Sequence, residues 1–209
     1  MPSQPVASPI TFRSATQEDC ADLVVFADMA TRRLTSFLWG QVAAPGQSAL
    51  EVGRNVIRNV EGHFTYFDNW RVAEHKGQLV GALNGYVIPH SSGSALAAPD
   101  VVQPLNELKN LAAGTWYISV AAIYPEHQGK GLGSLLLAEA ESLAILAGND
   151  RLTLIVGSFN AGAYRLYQRC GFTEYARRAY LGFPGSDEGE WILMVKDLSP
   201  HPDFCDVAE

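Results

Sequence analysis

The segment Gln128-Gly129-Lys130-Gly131-Leu132-Gly133-Ser134 joins an apolar, strand-like run to an apolar, helix-like run. A helix start presents unpaired backbone N–H groups and a partial positive charge, which suits a phosphate. Glycine lets the chain turn sharply and lets an anion approach without a Cβ in the way. Lys130 and the Ser134 hydroxyl would add to such a site. Two familiar phosphate fingerprints fail here. Read from Gly129, the dinucleotide pattern G-x-G-x-x-G needs glycine where Ser134 stands. The P-loop pattern needs glycine where Tyr124 stands and a hydroxyl where Gly131 stands. Taken alone, the turn also reads as a glycine-rich bend that only packs a helix onto a sheet.

The longer stretch Ile123 to Gly133 resembles the acetyl-CoA signature of the GNAT acetyltransferases. The core of that signature is Q/R-x-x-G-x-G/A, met here by Gln128, Gly131 and Gly133. A second element follows downstream. Asn160, Ala163, Leu166, Tyr167, Gly171 and Phe172 match N-x-x-A-x-x-L-Y-x-x-x-G-F. In element order the resemblance runs from Ile10 to Lys196, and it is strong from Thr115 to Phe172.

The resemblance implies an N-acetyltransferase that uses acetyl-CoA as donor and a primary amine of a small molecule or peptide as acceptor. It implies a splay between the fourth and fifth strands, with pantetheine paired to backbone at Ala121 and Ile123. The Ile123 amide would polarise the thioester oxygen, an oxyanion-hole role. Gln128, Gly129, Lys130, Gly131, Leu132, Gly133 and Ser134 would wrap the pyrophosphate. Asn160, Ala163 and Tyr164 would also contact the cofactor, and Tyr167 would be the general acid, with Tyr164 as a substitute one turn earlier. Asn160 has a second reading as a helix N-cap. Tyr167 has one as core, on a stripe with Ala163, Leu166 and Cys170. Many relatives carry an acid on the fourth strand, and Thr115 to Ile123 has none. Glu74, Glu126, His127, Tyr117 and Ser119 are the nearby alternatives, and no base is assigned among them. A reading from another class is a non-catalytic acyl-CoA-binding module of the same fold.

The elements that must hold these residues can be read from periodicity. Ile10 to Arg13 is a short strand. Thr16 with Asp19, and Ser48 with Glu51, form capping arrangements. Helices follow on Cys20, Leu23, Val24 and Ala27, near Thr31 to Trp39, and on the stripe Val52, Val56 and Val60. Trp70 to Glu74 and Gln78 to Ile88 flank a turn at His75-Lys76-Gly77. Leu105, Leu108 and Leu111 mark a short helix after Pro104. Thr115 to Ile123 is the strongest strand. Leu132, Leu135, Leu136, Leu143 and Leu146 mark an amphipathic helix, and Leu152, Leu154 and Val156 alternate on the next strand. A helix over Asn160 to Cys170 stops at Gly171. Phe172 to Tyr180 and Glu190 to Val195 are the last strands. The pattern is α/β. The expectation is a single GNAT-like domain over 10–198 with a mixed, mostly antiparallel sheet of about seven strands. Residues 1–9 and 199–209 read as tails, and 89–114 as an insertion that forms a lid or wall over the acceptor. Trp39, Tyr66, Trp70, Tyr86, Tyr180 and Trp191 are aromatic candidates for that acceptor site.

Composition sets the outer bounds. Of 209 residues, 47% are hydrophobic and 18% charged, enough apolar material for a core. The net charge of −7 opposes binding to phosphate backbones, so no nucleic-acid partner is expected. No window reaches the roughly 18 apolar residues of a membrane span, and Met1 to Pro9 lacks the basic and apolar regions of a signal peptide. Cytoplasmic residence and no membrane partner are expected. Cys20, Cys170 and Cys205 are widely spaced, which argues against a disulfide framework and a cysteine-based zinc site, and no metal is expected. A homodimer is compatible with the chain, although no sequence feature specifies one.

Overall fold

The computed structural model describes residues 9–90, 99–186 and 188–198. Both expected tails, apart from Pro9, and 91–98 of the expected insertion lie outside the described residues. The elements are β1 (Ile10–Ser14), α1 (Cys20–Ala30), α2 (Leu34–Gln41), α3 (Ala49–Asn59), β2 (Trp70–His75), β3 (Gln78–Val87), α4 (Gln103–Leu111), β4 (Trp116–Ile123), α5 (Leu132–Leu146), β5 (Arg151–Gly157), α6 (Ala161–Arg169), β6 (Thr173–Ala179) and β7 (Glu190–Asp197). The strands form one mixed sheet in the order β1-β2-β3-β4-β5-β7-β6. The chain falls into two compact units. Among the described residues, one comprises 9–86, 118–139 and 182–186, and the other 87–90, 99–117, 140–181 and 188–198.

In the first unit, β1, β2 and β3 form antiparallel pairs, with a register shift between Ala73 and Glu74. The β2–β3 turn has Lys76 and Gly77 at φ of 53° and 74°, the positive angles of a tight two-residue hairpin. Cys20, Leu23, Val24 and Ala27 of α1 are buried with Ile57, Trp70, Val72, Val120 and Ala122. The start of α1 is fixed electrostatically. Asp19 accepts from the Thr16 N–H at 2.7 Å and from two Arg13 nitrogens at 2.8 and 2.9 Å. These bonds hold its carboxyl below the usual carboxylate range, the Arg13 bond most. Ser48 and Glu51 make the expected reciprocal cap of α3, with bonds of 3.2 and 2.7 Å. The buried face of α3 differs from the expected stripe. Gly53 and Ile57 are buried, while Val52 and Val56 are half-buried and Val60 is exposed. A Cβ on Gly53 would lie 2.5 Å from the Trp39 ring, so the indole of α2 occupies the space that a side chain there would need.

In the second unit, β7 pairs antiparallel with β5 on one side and β6 on the other. Leu152, Leu154, Val156, Ile192, Leu193 and Met194 are buried. The register of β6 shifts between Glu174 and Ala176. The described part of the expected insertion includes α4, which packs on β6 and β7. Its Leu108 is fully buried, Leu105 is half-buried and Leu111 is exposed. Glu107 ties α4 to Arg178 of β6 at 2.5 Å.

Helix α5 is apolar nearly all round, so its leucines do not reveal its buried face. Leu132, Leu136, Leu137, Ala140 and Ala144 are buried. Leu135 and Leu146, expected on the apolar stripe, are exposed. Among the described residues no helix is long and apolar enough to cross a membrane.

Candidate active site

The first unit holds the glycine turn. Val120 and Ala122 of β4 point into the core, while Ser119, Ala121 and Ile123 alternate onto a partly open face. The chain leaves β4 through a short 3-10 turn at Pro125–His127. The Gln128 side-chain amide donates to the Ile123 carbonyl at 2.9 Å, and Lys130 Nζ donates to the Glu126 carbonyl at 2.8 Å. Two side chains expected to meet pyrophosphate thus brace the loop itself.

Gly129 and Gly131 stand at φ of +72° and +83°, and a Cβ on either would meet nothing within 4 Å. Backbone angle rather than local crowding therefore selects glycine at both positions. An open backbone next to the start of a 15-residue helix suits an incoming anion. Gln128, Gly129, Lys130, Gly131 and Ser134 are exposed, Gly133 is half-buried and Leu132 is buried. Leu132 serves as an anchor for the loop, and its side chain is not a surface contact.

The second unit holds α6. Asn160 is its N-cap, with the side chain accepting from the Ala163 N–H at 3.3 Å. The helix ends at Gly171, φ +88°, and the Phe172 N–H returns to the Tyr167 carbonyl at 3.0 Å. The hydroxyl of Tyr164 donates to Glu174, which Arg177 holds at 2.7 and 2.9 Å while also pairing with Glu190 at 2.8 Å. The Glu174 bond raises the Tyr164 pKa, and the proton is committed there, so Tyr164 is a poor stand-in acid. Tyr167 differs from it. Its ring lies 5.9 Å from that of Phe172, and no hydrogen bond holds its hydroxyl among the described residues. Desolvation pushes its pKa up to about 12, which keeps the phenol protonated at neutral pH.

The candidate bases are differently placed. Glu74 pairs with Arg13 at 2.9 Å, and Tyr117 is buried. Glu126 is exposed, and His127 and Ser119 are half-buried. Of the acceptor aromatics, Trp70 is 1% exposed and gives its indole N–H to the Thr65 carbonyl at 2.8 Å, so it is core and lines no surface site. Trp39 packs over Gly53.

A model of the acetyltransferase (GNAT) family matches residues 46–172. The chain belongs to the GNAT acetyltransferase family. Among curated relatives, a mycothiol acetyltransferase of Beutenbergia cavernae is 40% identical over 77 residues, 37% of this chain and 26% of the relative. An L-methionine sulfoximine/L-methionine sulfone acetyltransferase of Salmonella typhimurium is 34% identical over 88 residues, 40% of this chain and 50% of the relative. The matches thus span about a quarter and a half of those two proteins. Among solved structures, an acetyltransferase aligns with a TM-score of 0.62 at 20% identity, covering 90% of this chain and all of the other. The putative acetyltransferase yncA of Salmonella typhimurium, solved with acetyl-CoA, aligns at 0.57 and 23% identity, covering 95% of this chain and all of yncA. These likenesses establish the GNAT fold.

Two features of the second unit were not evident from the sequence. Lys109 Nζ lies 5.2 Å from the centre of the Tyr117 ring, and burial lowers its pKa to about 8. The rings of Phe159, Tyr180 and Trp191 also meet pairwise, at 5.1, 5.8 and 4.9 Å between centroids. Trp191 opens the apolar run of β7, but no local spacing brings residues 159 and 180 to it.

Proposed function

We propose that this chain is an acetyl-CoA-dependent N-acetyltransferase acting on a primary amine. The observation that carries the reading is the open backbone at Gly129 and Gly131, set at a helix start in a chain of this family. Acetyl-CoA would supply an activated thioester. The N–H groups around Gly129, Gly131 and Gly133 would hold its pyrophosphate, with Gln128 and Lys130 keeping the loop in shape. Asn160 would fix the start of α6, and the backbone at Ala121 and Ile123 would receive the pantetheine arm.

Tyr167 holds a proton at its hydroxyl throughout the neutral range. A phenol near 12 is a weaker acid than an ordinary thiol near 8.5, a gap of about 5 kcal/mol. Its role is therefore to donate a hydrogen bond to the negative charge that develops on the leaving sulfur. One relative is named for L-methionine sulfoximine and L-methionine sulfone, amino-acid derivatives with a primary amine, which favours a small-molecule acceptor over a peptide.

The test is release of free thiol from acetyl-CoA across a panel of amines. Amine-dependent release that falls with Tyr167→Phe supports the reading. CoA binding without release under any amine would instead identify the non-catalytic module, which the absence of an acid on β4 favours.

A further inference from the structure

The Trp191 indole is 7% exposed, and its N–H has no hydrogen-bond partner among the described residues. The indole of Trp70, 1% exposed, is satisfied by the Thr65 carbonyl. A buried donor left unpaired is costly and rare, so it calls for a partner. The surroundings of Trp191 are built with care. Phe159 stands edge-on to it, and a Cβ on Gly157 would lie 2.2 Å from the Phe159 ring. A Cβ on Gly189 would lie 3.4 Å from that ring and 2.4 Å from Ser158 Oγ. The Phe159 ring therefore occupies a slot that two glycines keep clear. Ser158 fixes the segment by exchanging bonds with Glu190, from its backbone N–H at 2.8 Å and to its Oγ at 3.0 Å. Tyr180, in contrast, is half-buried at the end of β6, held by its backbone N–H to the Gly189 carbonyl at 3.1 Å. One aromatic wall is locked and the other sits where the strand gives way to a loop.

We infer that Phe159, Tyr180 and Trp191 form the acceptor-recognition subsite. It takes an amine whose apolar body carries a hydrogen-bond-accepting oxygen, a carbonyl or carboxylate. The oxygen meets the Trp191 N–H once the Tyr180 ring swings aside. The aromatic rings supply the apolar contact, and Phe159 is joined directly to Asn160, the cap of the helix that carries Tyr167. The inference rests on the reading of the chain as an amine acetyltransferase.

The indole N–H resonances of the four tryptophans in 15N-labelled full-length protein read the subsite without catalysis. Trp191→Phe assigns its peak. If that variant does not fold, Tyr180→Leu assigns it instead, by removing the ring 4.9 Å away. The probes are two matched pairs: L-phenylalaninamide against phenethylamine, and L-methioninamide against 3-(methylthio)propylamine. The expected result is a downfield shift of the Trp191 peak with the amides and not with the oxygen-free amines. In thiol-release assays Trp191→Phe should lower kcat/KM for the amides about tenfold and leave the oxygen-free amines within about twofold. An unmoved Trp191 peak with all four probes would overturn the inference and leave a buried water as the partner of the indole. A shift produced by CoA alone would overturn it in favour of the pantetheine arm. A shift with the amides but no thiol release would keep the subsite and sink the acetyltransferase reading.

Discussion

Removing one hydroxyl from Tyr167 tests a desolvated phenol that stays protonated at neutral pH. Tyr167→Phe should lower kcat about 10²-fold or more, within the range typical of a positioned acid, while KM for acetyl-CoA changes less than twofold. Steady-state kinetics with the best amine of the panel checks both numbers. Lys109 offers a test by pH. Its folded pKa, near 8, lies below the ordinary lysine value, so between about pH 8 and 10 the unfolded chain binds more protons than the folded one. From this group alone, stability rises with pH across that window and is lowest below it, where a desolvated ammonium must be carried. Lys109→Met should raise Tm at pH 7, with the gain shrinking toward pH 10. Thermal melts at pH 7, 8, 9 and 10 decide it, and a gain that grew with pH would contradict the assignment. Such a lysine is invisible in sequence, because only the packing of α4 buries it. The cap made by Asn160 was legible as the second reading of that residue, whereas the bond from Gln128 to the Ile123 carbonyl depends on loop geometry that spacing does not encode.

At the scale of elements, caps and strand positions were legible because each depends on residues within a few positions. The reciprocal bonds of Ser48 and Glu51, the buried Leu152, Leu154 and Val156 of β5 and the stop at Gly171 all appear where the sequence placed them, although Thr153 is buried too and β5 does not alternate. Helix faces were less legible. In α3 the small residue Gly53 faces inward because the Trp39 indole needs its space, so the valine stripe is displaced onto the flank. In α5 ten of the 15 positions are apolar, and only the partner surface decides which of them stay dry. Gly53→Ala should cost about 1–3 kcal/mol, as overpacking does, even though alanine is the better helix former. Ser48→Ala should cost about 1 kcal/mol. Urea unfolding of the two variants separates them. A Gly53→Ala protein as stable as the parent would show that the indole can yield. The insertion belongs here too. Because Leu108 is buried, removing 89–114 would strip core as well as any lid, and substitutions at exposed Leu111 are the cleaner probe of acceptor access.

For the molecule as a whole, the net charge of −7 means that a polyanionic donor approaches against the long-range field. Local backbone N–H groups and a helix start must supply the attraction. Raising salt from 50 to 300 mM should therefore leave KM for acetyl-CoA unchanged or lower it. A several-fold rise would show that lysines and arginines dominate donor binding instead. The order of strands leaves β1 and β6 at the two edges of the sheet. An edge strand is a template for a stray chain to copy. Strand β6 answers that hazard with its register slip at Glu174 and Ala176 and with Arg177 clasped between Glu174 and Glu190. A foreign strand arriving there meets a broken ladder and fixed charge, so concentrated stocks should resist fibrillation for as long as that clasp is intact.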